Sequence, residues 1–445
     1  MRTHVVAFRA HLGRTAGSLA VSGALLASPA MAQGSAENRD TSGAHFTLAD
    51  AATIARRRHP LLLAASGRRL TLAGTSRQES AIPNPTFEWR KENYGSPLPR
   101  DEFLSLGMPV DFYGRRLALS SASGLVAARA LADSASTARV VEYEIARAYW
   151  HASLAFALRD AATAQRLAVD TIALIEAQRA QQGQVPQGSA LRARLEADRA
   201  RLVEANARAD VERARGDLAR ALAIPLEGVP RPTESLRIES DQRLPSVDAL
   251  RASARATRSD LRAARARADE SSRRELAERL GIFPAVGMQF GRKRTSGLQT
   301  GTAQIGVAIP LFDRNSGNRQ RAHGDVLIAT GELRAAELAV DAEVGSAFLA
   351  YLHLLEEYGR TANRGSLGSG SRDLAARGAT VAAIAGTAYR EGAISLFELL
   401  DAERVRAEVR IASLRAAADL HLARLELMRA IGLPIDAERL LPQTP

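Results

Sequence analysis

Two spacings occur twice in this chain, and together they dictate a duplicated architecture. Pro83 and Pro109 lie 26 residues apart, as do Pro284 and Pro310; Gly183 and Pro225 lie 42 apart, as do Gly392 and Pro434. Proline stops helices and glycine permits the backbone to turn, so repeated punctuation means repeated elements in the same order. The offset is 201 residues in the first block and 209 in the second, which leaves the second half eight residues longer. Residues 364–371, RGSLGSGS, are the place for them, because such glycine density is incompatible with an undisturbed helix. A kink or short loop is expected there.

Each half reads as helix, two strands, then a long helical hairpin. Residues 46–82 have apolar positions at helical spacing and stop at Pro83-Asn84-Pro85. Residues 86–94 and 103–112 then alternate, with Phe87, Trp89, Leu104, Leu106, Met108 and Val110 on one face and polar or small residues on the other. Nine or ten residues is the length a tilted transmembrane β-strand requires. From 115 to 182 no proline occurs, and Arg, Ala, Leu and Glu prevail. That run predicts one helix of about 100 Å at 1.5 Å per residue. The chain turns at 183–188 and returns as a helix to about 223. After a proline-punctuated linker the series repeats: a helix over 246–280, strands over 285–293 and 302–311 around a turn at 294–301, a long helix to about 390, a turn and a return helix to 431. The last helix carries a 3–4 apolar rhythm through Phe397, Leu400, Ala407, Ile411, Leu414, Ala418, Leu425 and Met428, interrupted by Arg404 and His421.

Aromatic residues make up only 4% of the chain, which favours helices packed through small side chains over one large aromatic core. The formal net charge is +11, and about +8 once Arg2, Arg9 and Arg14 are removed with the leader. Arginines alternate with acids along the helices, as in RARLEADRAR at 192–201, which describes solvated faces better than a nucleic-acid surface. Residues 1–32 have the form of a secretory signal peptide: a basic start, an apolar run at 16–27 and Ala30-Met31-Ala32 for cleavage. Residues 33–45 read as a flexible leader and 435–445 as a tail. No later stretch reads as a spanning helix, so any membrane crossing is expected to use β-strands.

Four short strands cannot hide their edges in lipid, so other copies of the chain must complete the sheet. Three copies would supply twelve strands, an acceptable closed barrel. The alternative is a periplasmic coiled-coil adaptor or scaffold, which leaves the strands unexplained.

The chain resembles the outer-membrane efflux proteins typified by TolC. The resemblance rests on 82–85 (IPNP), 104–116 (LSLGMPVDFYGRR), 309–317 (IPLFDRNSG) and 392–402 (GAISLFELLDA), and spans 46–235 and 246–434 as two repeats. It implies a mostly α fold with a membrane β-barrel part, a homotrimer with a 12-stranded barrel and an α-helical periplasmic tunnel. It also implies a passive outer-membrane exit duct served by a periplasmic adaptor and an inner-membrane pump. The form of 309–317 is most similar to the cobalt–zinc–cadmium resistance branch, whose pumps are of the resistance–nodulation–division type and whose cargo is heavy-metal cations.

The same resemblance assigns candidate sites. Glu398 and Asp401 correspond to acids at the periplasmic aperture, and Tyr389 stands beside it. Threefold symmetry would bring six carboxylates around one opening, favouring cations; two acids near a helix N-terminus also simply suit its dipole. Gly183, Val185, Gly188 and Ser189 in the first tip, and Gly392, Ile394 and Ser395 in the second, would form the adaptor-docking surface. In some relatives polar or ionic contacts between the hairpins hold the mouth closed; Ser189 and Ile394 occupy the corresponding positions here and offer no ion pair. The eight histidines show no ligand spacing and there is no cysteine. No catalytic triad or phosphate loop is present, so no enzyme, cofactor or metal site is assigned.

Overall fold

The computed structural model describes residues 46–93, 95, 97–236, 244–284, 286–359 and 371–435. The signal peptide and leader, the tail beyond 435 and most of the expected break at 364–371 lie outside the described residues. The chain order is α1 (Leu48–Arg58), α2 (Pro60–Ser80), β1 (Thr86–Glu92), β2 (Asp101–Val110), α3 (Arg115–Gln181) and α4 (Gln187–Leu222), then α5 (Val247–Thr257), α6 (Ser259–Leu280), β3 (Val286–Thr295), β4 (Leu298–Val307), α7 (Ser316–Gly359), α8 (Ser371–Arg390) and α9 (Leu396–Ile431).

Both leading helices are broken where the sequence reading ran them through. His59 is extended at φ −67°, ψ 124°, because Pro60 pushes its predecessor out of the helical region and then serves as the first helical residue of α2. The second copy breaks at Arg258 with no proline. Arg258 adopts φ −63°, ψ 124° and spends its guanidinium on Asp260 at 2.6 Å, Glu343 at 2.7 Å and the Ala430 carbonyl at 3.0 Å. Tertiary contacts there substitute for ring sterics.

The 67 residues of α3 pack along α4, α6, α2 and α9. Its buried stripe is small: Ala118, Ala122, Val126 and Ala130 recur every fourth residue. Such a ridge lets neighbouring axes approach closely. Larger side chains gather midway, where Tyr149, Ile145, Leu218, Leu250, Leu420 and Ile431 are fully buried. The segment after α4 joins this core rather than hanging free as a linker. Val229 and Leu236 are buried, the Tyr149 hydroxyl donates to the Phe46 carbonyl at 2.8 Å, and Glu234 accepts the Leu48 amide at 2.7 Å.

His421 explains one interruption of the α9 stripe. It stacks on Trp150 at 3.7 Å, and its Nε2 pairs with the Leu236 carbonyl at 3.2 Å. Burial depresses its pKa to about 4, from an ordinary 6.5. A depressed imidazole pKa leaves full stability above 6.5 and withdraws it as pH falls towards 4, at most about 3 kcal/mol. The thermal midpoint is therefore expected to drop between pH 7 and pH 4.5, and His421→Phe should flatten that drop. Parallel pH profiles of the two proteins would refute the assignment.

Among the described residues, α7 contains the one helix span long and apolar enough to cross a membrane, Ser316–Tyr358, with a window of mean hydropathy 1.4 that is 22% buried. The sequence reading did not anticipate it. Val340, Val344 and Tyr351 anchor this helix in the core, while Asp341 pairs with Arg255 and Glu343 with Arg258; its exposed positions mix Leu327, Ile328, Leu338 and Leu349 with charged residues such as Glu332 and Arg334.

The four strands form one antiparallel sheet in the order β1-β2-β3-β4, and the β2–β3 pairing joins the two repeats. The second hairpin is tighter than expected. Its turn is Ser296-Gly297, with φ 49° and 93°, and β4 pairs from Leu298 to Val307 instead of spanning 302–311. Two positive φ values in a two-residue loop match the right-handed strand twist.

Candidate functional site: the sheet face and the hairpin tips

Register sorts the sheet into two faces. Phe87 lies opposite Leu106, which lies opposite Phe290; Met108 pairs with Met288 and Met288 with Ile305. Phe87, Leu106, Met108, Phe290 and Ile305 stand exposed, from 41% at Met108 to 68% at Phe87, and Met288 is half-buried. On the other face Gln289 donates to Glu88 at 2.7 Å and Ser105 at 2.6 Å, and Lys293 pairs with Asp101 at 2.7 Å. One face is thus apolar and unpartnered, and the other is a hydrogen-bonded polar lining. Among the described residues, β1 and β4 each pair on one side only.

All four helix connections leave from one end of the sheet, and that end carries further apolar rings. Tyr113 stacks on Phe283 at 4.5 Å, Phe112 is exposed, and Phe312 is 99% exposed. The sequence reading met Phe112, Tyr113 and Phe312 inside the motifs at 104–116 and 309–317 and gave the rings no role of their own.

At the far end of the helices lie the two tips, and they close by the same device. Gly183 and Gly392 take φ 69° and 75°. The next amide reaches back six residues inclusive, Gln184 to the Arg179 carbonyl at 2.9 Å and Ala393 to the Ala388 carbonyl at 2.8 Å. This satisfies the orphan carbonyls of α3 and α8 and demands glycine. The return helices differ. Pro186 precedes α4 with no side-chain cap. Ser395 caps α9, accepting the Glu398 amide at 3.3 Å while Glu398 accepts the Ser395 amide at 2.7 Å and its hydroxyl at 2.9 Å. Those donors hold the Glu398 carboxyl below the usual range, so it stays charged.

The candidate site residues are not one cluster. Asp401 pairs with Arg404 at 2.5 Å, and Arg404 also reaches Glu408 at 3.5 Å. Tyr389 instead crosses to the first hairpin. Its hydroxyl donates to Glu176 and accepts from Arg179 at 3.1 Å, whose guanidinium lies 5.5 Å from the ring centroid. Arg179 and Glu176 pair at 3.5 Å, and the Glu176 side chain is 1% exposed. Burial first, then the adjacent carboxylate, pushes the Tyr389 phenol up. Arg192 of α4 lies over Phe397 of α9 at 5.7 Å as a second contact between tips. A polar link between hairpins therefore exists, against the expectation from Ser189 and Ile394. Its partners sit one to two turns above the tip on α3, where the sequence reading did not look. Among the described residues no group of three or more His, Cys, Asp or Glu could hold a metal ion.

A four-stranded membrane-type sheet in two repeats, set at one end of long helical hairpins, defines the TolC-like fold. Residues 250–433 match the family model described as outer membrane efflux protein. Solved structures align over most of their length. The outer-membrane channel OprN matches with TM-score 0.71 at 18% identity, covering 86% of this chain and 89% of that one. The outer membrane protein VceC from Vibrio cholerae gives 0.70 at 18%, covering 87% and 97%. CusC gives 0.70 at 17%, covering 87% and 92%. No curated protein matches the chain.

Proposed function

We propose that this chain is the outer-membrane channel of a tripartite efflux system, a passive exit duct. The observation that carries the reading is the sheet: a largely exposed apolar face, a polar opposite face and, among the described residues, two edges without a neighbour, at one end of helices about 100 Å long. Three copies close that sheet into twelve strands with the apolar face in lipid and the polar face lining the pore. The helices continue the duct through the periplasm, and the tips at Gly183 to Ser189 and Gly392 to Ser395 receive a periplasmic adaptor, which recruits a resistance–nodulation–division pump. Extraction of the mature protein from cells without detergent, as a monomer, would overturn this reading; a detergent-dependent trimer supports it. Heavy-metal cations are the cargo suggested by the resemblance at 309–317. Cells lacking the gene should then become sensitive to cobalt, zinc or cadmium before they become sensitive to organic toxins, and the reverse order would exclude that cargo.

At the mouth, Glu398 supplies a fixed negative charge while Arg404 partly offsets Asp401. Replacing Glu398 by alanine also removes a helix cap worth about 1 kcal/mol. Glu398→Gln keeps an acceptor for Ser395 and removes only the charge. With Asp401→Asn it is expected to lower the cation-to-anion permeability ratio severalfold in planar bilayers. An unchanged reversal potential would sink the acidic aperture.

A further inference from the structure

The outward face of the sheet changes character towards its hairpin end. Val286, Met288 and Phe290 are followed on the same face of β3 by Arg292 and Arg294, both exposed. Arg292 lies opposite Leu104, itself opposite Trp89, and Arg294 lies opposite Glu102. Glu102 is already held by Lys91 at 2.7 Å, and that lysine lies 5.4 Å from the Trp89 ring. Among the described residues, neither Arg292 nor Arg294 has an ion pair within 4.0 Å. Arg294 shares Glu102 with Lys91 electrostatically, so the rim carries a net excess of two positive charges per chain, six in a trimer. The aromatic rings Tyr113, Phe283 and Phe312 mark the opposite border of the apolar band, at the helix end. Arg292 and Arg294 thus stand at the far border, at headgroup depth in the leaflet away from the helices.

We propose that Arg292 and Arg294 bind the phosphate groups of lipid headgroups in that leaflet. Charge complementarity selects the occupant: a planar guanidinium takes a phosphate in bidentate fashion, and an apolar band beside it takes the acyl chains. Adjacent side chains two apart on one strand face can share one phosphorylated headgroup. The proposal rests on the barrel reading above, and the two fail separately.

The test uses full-length trimers in nanodiscs containing lipid A, a diphosphorylated glycolipid, or in matched discs of uncharged lipid. Lipid A should raise the thermal midpoint of the wild type, and lipid-bound phosphate per trimer after detergent extraction should fall at least fivefold in Arg292→Ala/Arg294→Ala. Lys293→Ala, on the opposite face of the same strand, should retain wild-type lipid. Equal retention in the double variant and the wild type overturns the proposal, as does equal stabilisation by inorganic phosphate alone in uncharged discs. Failure of every variant and the wild type to insert as trimers overturns the barrel reading and this proposal with it.

Discussion

Of the proposed membrane-inserted trimer, Gly291→Val is expected to leave below a tenth of the wild-type amount. Gly291 sits in β3 opposite Ser105 of β2, at the one strand pairing that joins the two repeats among the described residues. A Cβ placed there would collide with the Leu104 carbonyl and lie 2.6 Å from the Ser105 Cβ and 2.8 Å from its Cα. Backbone, not a flexible side-chain end, blocks the space, so β2 and β3 must part. Overpacking of this kind costs about 1–3 kcal/mol per site, and a trimer would carry it three times. The matched control is Gly301→Val in β4, where a Cβ meets nothing within 4 Å. Gly301→Val should leave the yield of detergent-stable trimer near wild type. Equal yields from the two variants would show that the β2–β3 approach does not limit assembly.

The alternation that predicts the sheet is legible because a strand with lipid on one side and water on the other must alternate with period two. Phe87, Trp89, Leu106 and Ile305 announce it directly. The misreading of the second hairpin has a physical source too. Arg294 and Thr295 were read into the turn at 294–301, yet they are paired strand residues of β3, opposite Gln299 and Leu298. Ser296-Gly297 was the true signal, and the pairing of Thr295 with Leu298 fixes it. The break at His59 was written in Pro60. The break at Arg258 was not written locally, since its cause is Glu343 and Ala430, far along the chain. The hairpin tips were legible through glycine, because a positive φ leaves a residue-type signature. What joins the tips was not: Glu176 and Tyr389 are 213 residues apart, and only the packing of hairpin on hairpin brings them together.

In the proposed channel, Tyr389→Phe is expected to open the periplasmic mouth. The variant keeps the ring over Arg179 and removes only the hydroxyl that donates to Glu176. A hydrogen bond to a charged group contributes about 1.5–3 kcal/mol, and Glu176 is buried, so solvent does not replace the lost donor readily. Among the described residues, Oε2 of the same carboxylate already has no hydrogen-bond partner. In the proposed trimer, one link per chain gives three around the aperture. If the three hairpins move together, the closed state loses about 6 kcal/mol, or roughly four orders of magnitude in the closed-to-open ratio. Arg179 offsets part of this, because its guanidinium remains 3.5 Å from Glu176 and is freed of the phenol. Single-channel conductance in planar bilayers should therefore rise severalfold in Tyr389→Phe, and further in Tyr389→Phe/Arg179→Ala. The Ser189→Ala variant, at the position where the resemblance had placed the latch, should conduct as the wild type does. Wild-type conductance in the Tyr389→Phe channel would mean that the mouth is held by other contacts, such as the cation–π pair of Arg192 on Phe397, and that the buried carboxylate serves the fold alone.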